Sequence, residues 1–136
     1  MTAIHDLSAS ELSAAYGRGD LSPVEVTRAV LEHIDRWEPK VNAMYLLHRE
    51  PALAAARESE ARWRAGAPLS AIDGVPATIK ENLYTKGDPA PLGTAATDRT
   101  PKPHDAPPSA RLREAGCVIL GKTTMPDFGM LSSGRS

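Results

Sequence analysis

The sequence predicts an α/β protein in which N-terminal helices, over residues 1–67, precede a βαβ unit, over residues 68–136. Three observations predict this class. Apolar residues recur at helical spacing in the first half, apolar and polar residues alternate near position 77, and a continuous apolar run near position 118 follows a short helical segment. The 136 residues fit one domain of ordinary size.

The first helix is predicted by signals at both of its ends. Ser8 and Glu11 have the spacing of a capping box, in which each side chain bonds a backbone N–H group that the helix leaves free. Gly17 and Gly19 can adopt the left-handed conformation that ends a helix. We therefore expect a helix that begins at Ser8 and ends at these glycines.

The second helix is predicted by a repeat of the same start signal. Ser22 and Glu25 have the capping-box spacing, and Pro23 takes the first helical position, where its missing N–H group is not needed. Pro39 is expected to stop the helix. Its apolar stripe consists of Val26, Val30, His33, Ile34 and Trp37.

A third, alanine-rich helix is predicted to open at Pro51 and to end at Gly66. Charged residues of both signs follow one another along it, which is typical of a solvated helix face. The region after residue 68 then changes in character, because glycine, proline and β-branched residues replace the helical pattern.

The βαβ unit is predicted from two different strand patterns. Apolar Val75, Ala77 and Ile79 alternate with other residues up to Lys80, as in a strand with two different faces. Residues 117–120 form a continuous apolar run, which is typical of a fully buried strand. A strand, a crossover with a helix and a second strand make a right-handed unit, so the two strands are expected to be parallel.

The crossover between the two strands is predicted to be a long loop followed by a short helix. Residues 85–108 contain six prolines, too many for a continuous regular element, and a short edge strand within them is left open. Residues 109–115 are predicted to be helical, with Gly116 as the C-terminal cap. Residues 121–136 are again predicted to be a loop.

Composition argues against several classes of partner. Lys+Arg 16 against Asp+Glu 17 gives a net charge of −1, so we expect no general attraction to nucleic acid. No apolar run approaches the ~18 residues of a membrane span, and the N-terminus does not resemble a secretory signal, so we expect a cytoplasmic protein without a membrane partner. The four histidines lack metal-ligand spacing, and the single cysteine, Cys117, is expected to be a small buried hydrophobe.

Two segments carry a resemblance to a known family. Residues 73–83 read DGVPATIKENL, and residues 121–130 read GKTTMPDFGM. Both resemble blocks of the amidase signature family, whose members hydrolyse or transfer at carboxamide bonds, and further matches follow in order at residues 21–26, Asp105 and residues 111–120. The resemblance implies that residues 1–136 are the N-terminal portion of a single amidase-signature domain. The βαβ unit would then lie in a mixed sheet, as part of an incomplete amidase-signature fold.

The resemblance implies a Ser-cisSer-Lys mechanism that needs no cofactor and no metal. One serine attacks the amide carbon, a second serine preceded by a cis peptide bond relays its proton, and an uncharged lysine accepts that proton. Lys80 is the position that matches the family's lysine. Because burial disfavours the charged form of an amine, a lysine buried at a strand end can serve as a general base near neutral pH. We therefore expect Lys80 to be catalytic and its amine to be buried.

The remaining site residues are also implied by the resemblance. Met130 and Ser132 are expected to line the pocket for the acyl part of the substrate. The family's Gly- and Ser-rich segment, which carries both serines, would lie beyond Ser136, and Ser132 and Ser133 are not expected to replace them. We therefore expect this chain to supply only the lysine part of the site and to be inactive alone. The remainder of the enzyme, or another chain, would complete the fold.

Our leading hypothesis is an amidase that hydrolyses a small carboxamide to a carboxylic acid and ammonia. A close alternative is the glutaminase subunit of a tRNA-dependent amidotransferase, which would need partner subunits. An alternative of another class is a non-catalytic truncated remnant that acts as an interaction or structural module. The small-molecule substrate and the oligomeric state, a homo-oligomer included, stay open at this stage.

Overall fold

Four α-helices and three β-strands make up the part of the chain that the structure, a computed structural model, describes: residues 2–130. Short 3₁₀ turns lie near both ends of this range, at Ile4–Asp6 and Asp127–Gly129. In chain order the main elements are α1 (Ala9–Arg18), α2 (Pro23–Val41), β1 (Met44–Leu47), α3 (Arg49–Arg64), β2 (Pro76–Lys80), α4 (Pro107–Glu114) and β3 (Val118–Thr123).

The three strands form one mixed sheet in the order β1-β3-β2. Strand β2 runs parallel to β3, so the predicted βαβ unit is confirmed, and β1 runs antiparallel to β3 on its other side. Lys80 at the end of β2 is paired with Thr123 at the end of β3. The carboxyl ends of both parallel strands therefore meet at one edge of the sheet, where ligands of open α/β sheets usually bind.

The core lies between β3 and the helices α2 and α3. Val118 and Leu120 are two positions apart, so they share one face of β3, and both are almost completely buried. They pack against residues of α2 and α3 that are also buried: Val24, Leu31, Ala52 and Ala56. Burying an aliphatic side chain of this size contributes about 1.5–3 kcal/mol, so this contact fixes the strand that the site depends on.

The first two helices begin where the sequence predicts. Ser8 and Ser22 are the N-caps of α1 and α2, and a complete capping box is present at each. Helix α1 ends at Gly19, which has a φ of 75° and is therefore in the left-handed conformation. Both predicted starts are confirmed because a capping box depends only on residues within one turn of the helix.

Helix α2 does not stop at Pro39, so that prediction was wrong. The helix continues to Val41 and ends at Asn42, which adopts a φ of 47° and donates its N–H group to the Glu38 carbonyl. The Glu38 carboxylate also accepts a hydrogen bond of 2.8 Å from the N–H group of Met44. These bonds close the last turn around the proline, and the chain passes directly into β1.

Three further boundaries differ from the prediction. Strand β1 lies inside the first half of the chain, which was predicted to be helical, and β3 continues to Thr123 beyond Leu120. Helix α4 begins at Pro107, and residues 81–106 form a loop without a strand. That loop is held by hydrogen bonds across it, from the N–H group of Gly87 to the Lys102 carbonyl and from that of Lys102 to the Asp88 carbonyl, both 2.9 Å long.

Candidate active site

Lys80 is the last residue of β2, at the edge of the sheet where β2 and β3 both end. The segment after β3 folds back over it. A Cβ atom added to Gly129 would lie 3.9 Å from the Lys80 Nζ atom and 3.4 Å from the Met125 Cε atom. The structure therefore brings together the two segments, residues 73–83 and 121–130, whose sequences carry the family resemblance.

The Lys80 side chain is exposed in this chain, so the expectation of a buried amine was wrong for the described residues. Successive residues of a strand point to opposite faces, and Ile79 is buried while Thr78 and Lys80 are exposed. Thr78 and Lys80 thus lie on the sheet face that the described helices do not cover. The structure gives the position of Lys80 and leaves its amine hydrated.

The predicted substrate-binding residues are in a different position with respect to the structure. Met130 follows the turn that approaches Lys80, and its side chain is 82% exposed. Ser132 lies outside the described residues. A pocket around Met130 therefore stays a prediction.

A second lysine of the site region, Lys122, is completely buried. It lies in β3 opposite Ile79, and its Nζ atom donates a hydrogen bond of 3.5 Å to the Pro89 carbonyl. Burial lowers the pKa of Lys122, while the nearby carboxylates of Asp88 and Glu81 act in the opposite direction. Sequence reasoning missed this residue because a lysine after an apolar run is usually the exposed end of a strand.

Glu81 is a buried carboxylate directly after Lys80, with 2% of its surface exposed. Its two oxygens accept hydrogen bonds of 2.7 Å from the backbone N–H groups of Leu92 and Gly93. The N–H group of Glu81 itself donates to the Thr123 carbonyl at 3.1 Å. Glu81 therefore links the end of β2 to the proline-rich loop, a role that sequence reasoning also missed.

The proline-rich loop is in turn bonded to the segment that lies over Lys80. The Leu92 carbonyl accepts a hydrogen bond of 2.7 Å from the N–H group of Phe128. A Cβ atom at Gly93 would lie 2.5 Å from the Met125 carbonyl oxygen, so this close approach requires glycine. The loop and the segment after β3 therefore form one connected layer at the carboxyl edge of the sheet.

The opposite end of β2 is anchored by a second buried carboxylate, Asp73. Arg62 donates two hydrogen bonds of 2.7 Å to it, and the N–H group of Leu69 donates a third at 2.8 Å. Burial by itself raises the pKa of Asp73, but the hydrogen bonds from Arg62 and Leu69 outweigh it, and the pKa lies below its usual value. This anchor fixes where β2 starts and therefore where Lys80 ends.

Two further features bear on cofactors and surroundings. Within residues 2–130, no three His, Cys, Asp or Glu side chains come together in a way that could hold a metal ion. Among the helices of the same range, none is both long enough and apolar enough to cross a membrane. Cys117 is buried as predicted, and burial raises the pKa of its thiol.

The fold and the candidate site define an α/β protein whose lysine-bearing site lies at the carboxyl edge of a mixed sheet. The family model described as Amidase matches residues 25–136, so the chain belongs to the amidase family. Among the relatives is a subunit of glutamyl-tRNA(Gln) amidotransferase, the one designated A, from Salinispora tropica. It is 42% identical over 133 residues, which cover 98% of this chain and 27% of that protein. The protein of the same name from Myxococcus xanthus is 40% identical over 131 residues, or 96% of this chain and 27% of that protein.

The solved structures that resemble this chain are also amidases. Fatty acid amide hydrolase matches with a TM-score of 0.85 and 26% identity, over 91% of this chain and 22% of that one. The peptide amidase of Stenotrophomonas maltophilia matches with a TM-score of 0.80 and 29% identity, over 88% of this chain and 25% of that one. This chain thus spans about a quarter of the length of the curated relatives it matches.

Proposed function

We propose that this chain supplies the lysine of a carboxamide-cleaving site that uses Ser-cisSer-Lys chemistry without metal or cofactor. The observation that carries the proposal is the position of Lys80. It ends a parallel strand at the carboxyl edge of the sheet, inside the segment DGVPATIKENL, and the segment after β3 lies over it. Membership of the amidase family and the amidase folds among its structural neighbours support the same reaction class.

In the proposed reaction, Lys80 acts as the proton acceptor. An uncharged Lys80 takes a proton from the relay serine, which takes one from the nucleophilic serine as that oxygen bonds to the amide carbon. The C–N bond then breaks, the leaving nitrogen receives the proton, and ammonia departs. Water hydrolyses the resulting ester to a carboxylic acid and restores the serine.

The hydrated amine of Lys80 adds a condition to this proposal. An amine accepts a proton near neutral pH when it is removed from water and kept uncharged. We propose that the part of the polypeptide corresponding to the other three quarters of the relatives covers Thr78 and Lys80 and supplies both serines. Met130 and Ser132 would then face the acyl part of the substrate.

A second candidate function is supported by the names of the most similar relatives. Proteins 42% and 40% identical to this chain are named as subunits of glutamyl-tRNA(Gln) amidotransferase. In that case glutamine would be the amide cleaved, the ammonia would pass to a tRNA-bound acceptor, and partner subunits would be required. Comparing glutamine with acetamide as substrates, with and without partner subunits, separates the two candidates.

Substitution of Lys80 tests the proposal in the complete polypeptide. Because the reaction needs a proton acceptor, we expect Lys80→Ala to lower kcat by at least about a hundredfold while the protein stays folded. The measurement is ammonia release from acetamide and from glutamine, with circular dichroism to check folding. The matched control is Lys86→Ala, another exposed lysine in the adjoining loop, which should leave turnover unchanged.

Two outcomes would contradict the proposal. Unchanged turnover in Lys80→Ala would remove this residue from the mechanism. Absence of turnover in the wild-type complete polypeptide, with both amides and with partner subunits present, would favour the non-catalytic interaction module instead.

A further inference from the structure

We propose that Glu81 is a positioning residue that holds the segment of residues 124–130 in place over Lys80. The inference rests on the proposed function only for its effect on catalysis, since the connection itself is a feature of the fold. It adds to the amidase site a residue that touches neither the substrate nor the reacting atoms.

The first part of the argument is the environment of the Glu81 carboxylate. A buried charge is unfavourable unless it is fully hydrogen-bonded, and Glu81 meets this condition by accepting from two consecutive backbone N–H groups. Hydrogen bonds to an ionised acceptor are stronger than those between neutral groups. Glu81 therefore fixes Leu92 and Gly93 with respect to the end of β2.

The second part is the backbone conformation of the residues joined to Glu81. Leu92 has a φ of 60° and Phe128 a φ of 51°, a conformation that residues other than glycine adopt rarely. Such residues persist where surrounding contacts hold them. Here the N–H group of Phe128 donates to the Leu92 carbonyl, and the N–H group of Leu92 donates to Glu81.

The third part is that these contacts close a ring. Lys80 is bonded to Glu81 in the chain, Glu81 holds Leu92, Leu92 holds Phe128, and the next residue, Gly129, approaches the Lys80 Nζ atom. Phe128 makes no direct contact with Glu81 in this ring. A change at Glu81 should therefore reach Phe128 through Leu92, and with it the exposed Phe128 and Met130 side chains near Lys80.

Amide hydrogen exchange, measured by NMR on the 136-residue chain, tests the connection without any need for activity. Glu81→Gln keeps the length of the side chain but replaces one acceptor oxygen by an NH₂ group, which cannot accept from a backbone N–H group. We expect exchange at Leu92 or Gly93, and also at Phe128, to become at least about tenfold faster. The amide of Val118, which donates to the Val75 carbonyl in the core, should be unchanged and serves as the internal control.

Two other variants sharpen the test. Glu81→Asp keeps the charge and both acceptor oxygens, so we expect its exchange rates to lie between those of the wild type and Glu81→Gln. Asp73→Asn alters the other buried carboxylate, at the far end of β2, and should not accelerate exchange at Phe128 more than at Val118.

The inference is overturned if exchange at Phe128 in Glu81→Gln stays within twofold of the wild-type rate. It is also overturned if Val118 accelerates as much as Phe128, since Glu81 would then stabilise the whole fold and not the segment. If Glu81→Gln does not fold, the same criteria apply to Glu81→Asp.

Activity of the complete polypeptide provides the second measurement. If Glu81 positions the site, kcat/KM should fall at least about tenfold in Glu81→Gln, and Glu81→Asp should recover part of the loss. Wild-type turnover in Glu81→Gln would overturn the catalytic part of the inference. If the wild type itself shows no turnover, the proposed function fails, whereas the exchange result decides separately whether Glu81 positions the segment.

Discussion

Asp73 shows how a single buried charge places a strand in this fold. Its carboxylate is inaccessible to solvent and is bonded to Arg62 through two nitrogens, while the Asp73 carbonyl accepts a hydrogen bond of 3.0 Å from the Trp63 indole N–H group. The end of α3 and the start of β2 are therefore joined through one residue. A buried ion pair of this kind is sensitive to the loss of either partner, because the other charge is then left uncompensated.

The lowered pKa of Asp73 predicts a loss of stability in acid. In the unfolded chain the carboxyl group has its usual pKa of 3.8, and in the folded chain the value is lower. The stabilisation from this residue is therefore complete above pH 3.8 and disappears as the pH falls through the folded value. We expect Asp73→Asn to lower the free energy of unfolding by about 2 kcal/mol at neutral pH and to flatten its dependence on pH in this acidic range.

Urea unfolding of the 136-residue chain at a series of pH values measures both effects. The control is Asp20→Asn, which alters an exposed aspartate paired with Arg18 and should change the free energy of unfolding by less than about 1 kcal/mol. Parallel pH curves for the wild type and Asp73→Asn would contradict the prediction.

The candidate site was only partly predictable from its residues. Lys80 was identified because its segment resembles a family motif, and its place at the end of a strand followed from the alternation of Val75, Ala77 and Ile79. Glu81 and Lys122 were not identified, because charged residues are rarely fully buried and nothing local marks these two. Their partners, the Leu92 and Gly93 amides and the Pro89 carbonyl, belong to backbone whose position depends on the whole fold.

At the level of elements, local signals were predictable and long-range pairings were not. The capping boxes at Ser8 and Ser22 act within one helical turn, and both helix starts agree with the structure. Strand β1 has only four residues and is defined by its pairing with β3, about 75 positions further along the chain. Nothing between α2 and α3 marks it as a strand in the sequence.

Gly121 is the residue on which the three-strand sheet depends most directly. It lies in β3 opposite Leu47 of β1 and Thr78 of β2, beside the register shift between β2 and β3. A Cβ atom at this position would collide with the Leu46 carbonyl oxygen and would lie 3.0 Å from the Leu47 Cα atom. Both neighbours are backbone atoms, so they can move only if β1 separates from β3.

We expect Gly121→Ala to lower the free energy of unfolding by about 2–3 kcal/mol, because overfilling a packed site forces a shift of the backbone. Thermal or urea unfolding of the 136-residue chain measures the change. The matched control is Gly17→Ala in α1, where the nearest atom to the added Cβ belongs to Trp63 at 3.7 Å. That substitution should be neutral or stabilising by up to about 1 kcal/mol, since alanine favours helix. Equal stability of the wild type and Gly121→Ala would show that β1 can move without loss.

At the scale of the whole molecule, the fold presents the site without enclosing it. The helices α2 and α3 pack against one side of the sheet, and Thr78 and Lys80 occupy the other side, exposed to water. The chain corresponds to about a quarter of the length of its relatives. The structure thus explains how Lys80 is held at the sheet edge, and the proposed mechanism assigns its dehydration to residues outside this chain.

This division predicts that the 136-residue chain alone does not hydrolyse acetamide or glutamine above the rate of buffer. A hydrated amine is a charged amine for most of the time at neutral pH, and without a serine pair the covalent path and its oxyanion stabilisation, worth at least about a hundredfold, are absent. Ammonia release is the measurement, with the Lys80→Ala chain as the blank. Adding the remainder of the polypeptide as a separate chain should restore turnover to the wild-type chain and not to the Lys80→Ala chain. Hydrolysis by the 136-residue chain alone that depends on Lys80 would place the nucleophile within these residues and would contradict the division of the site.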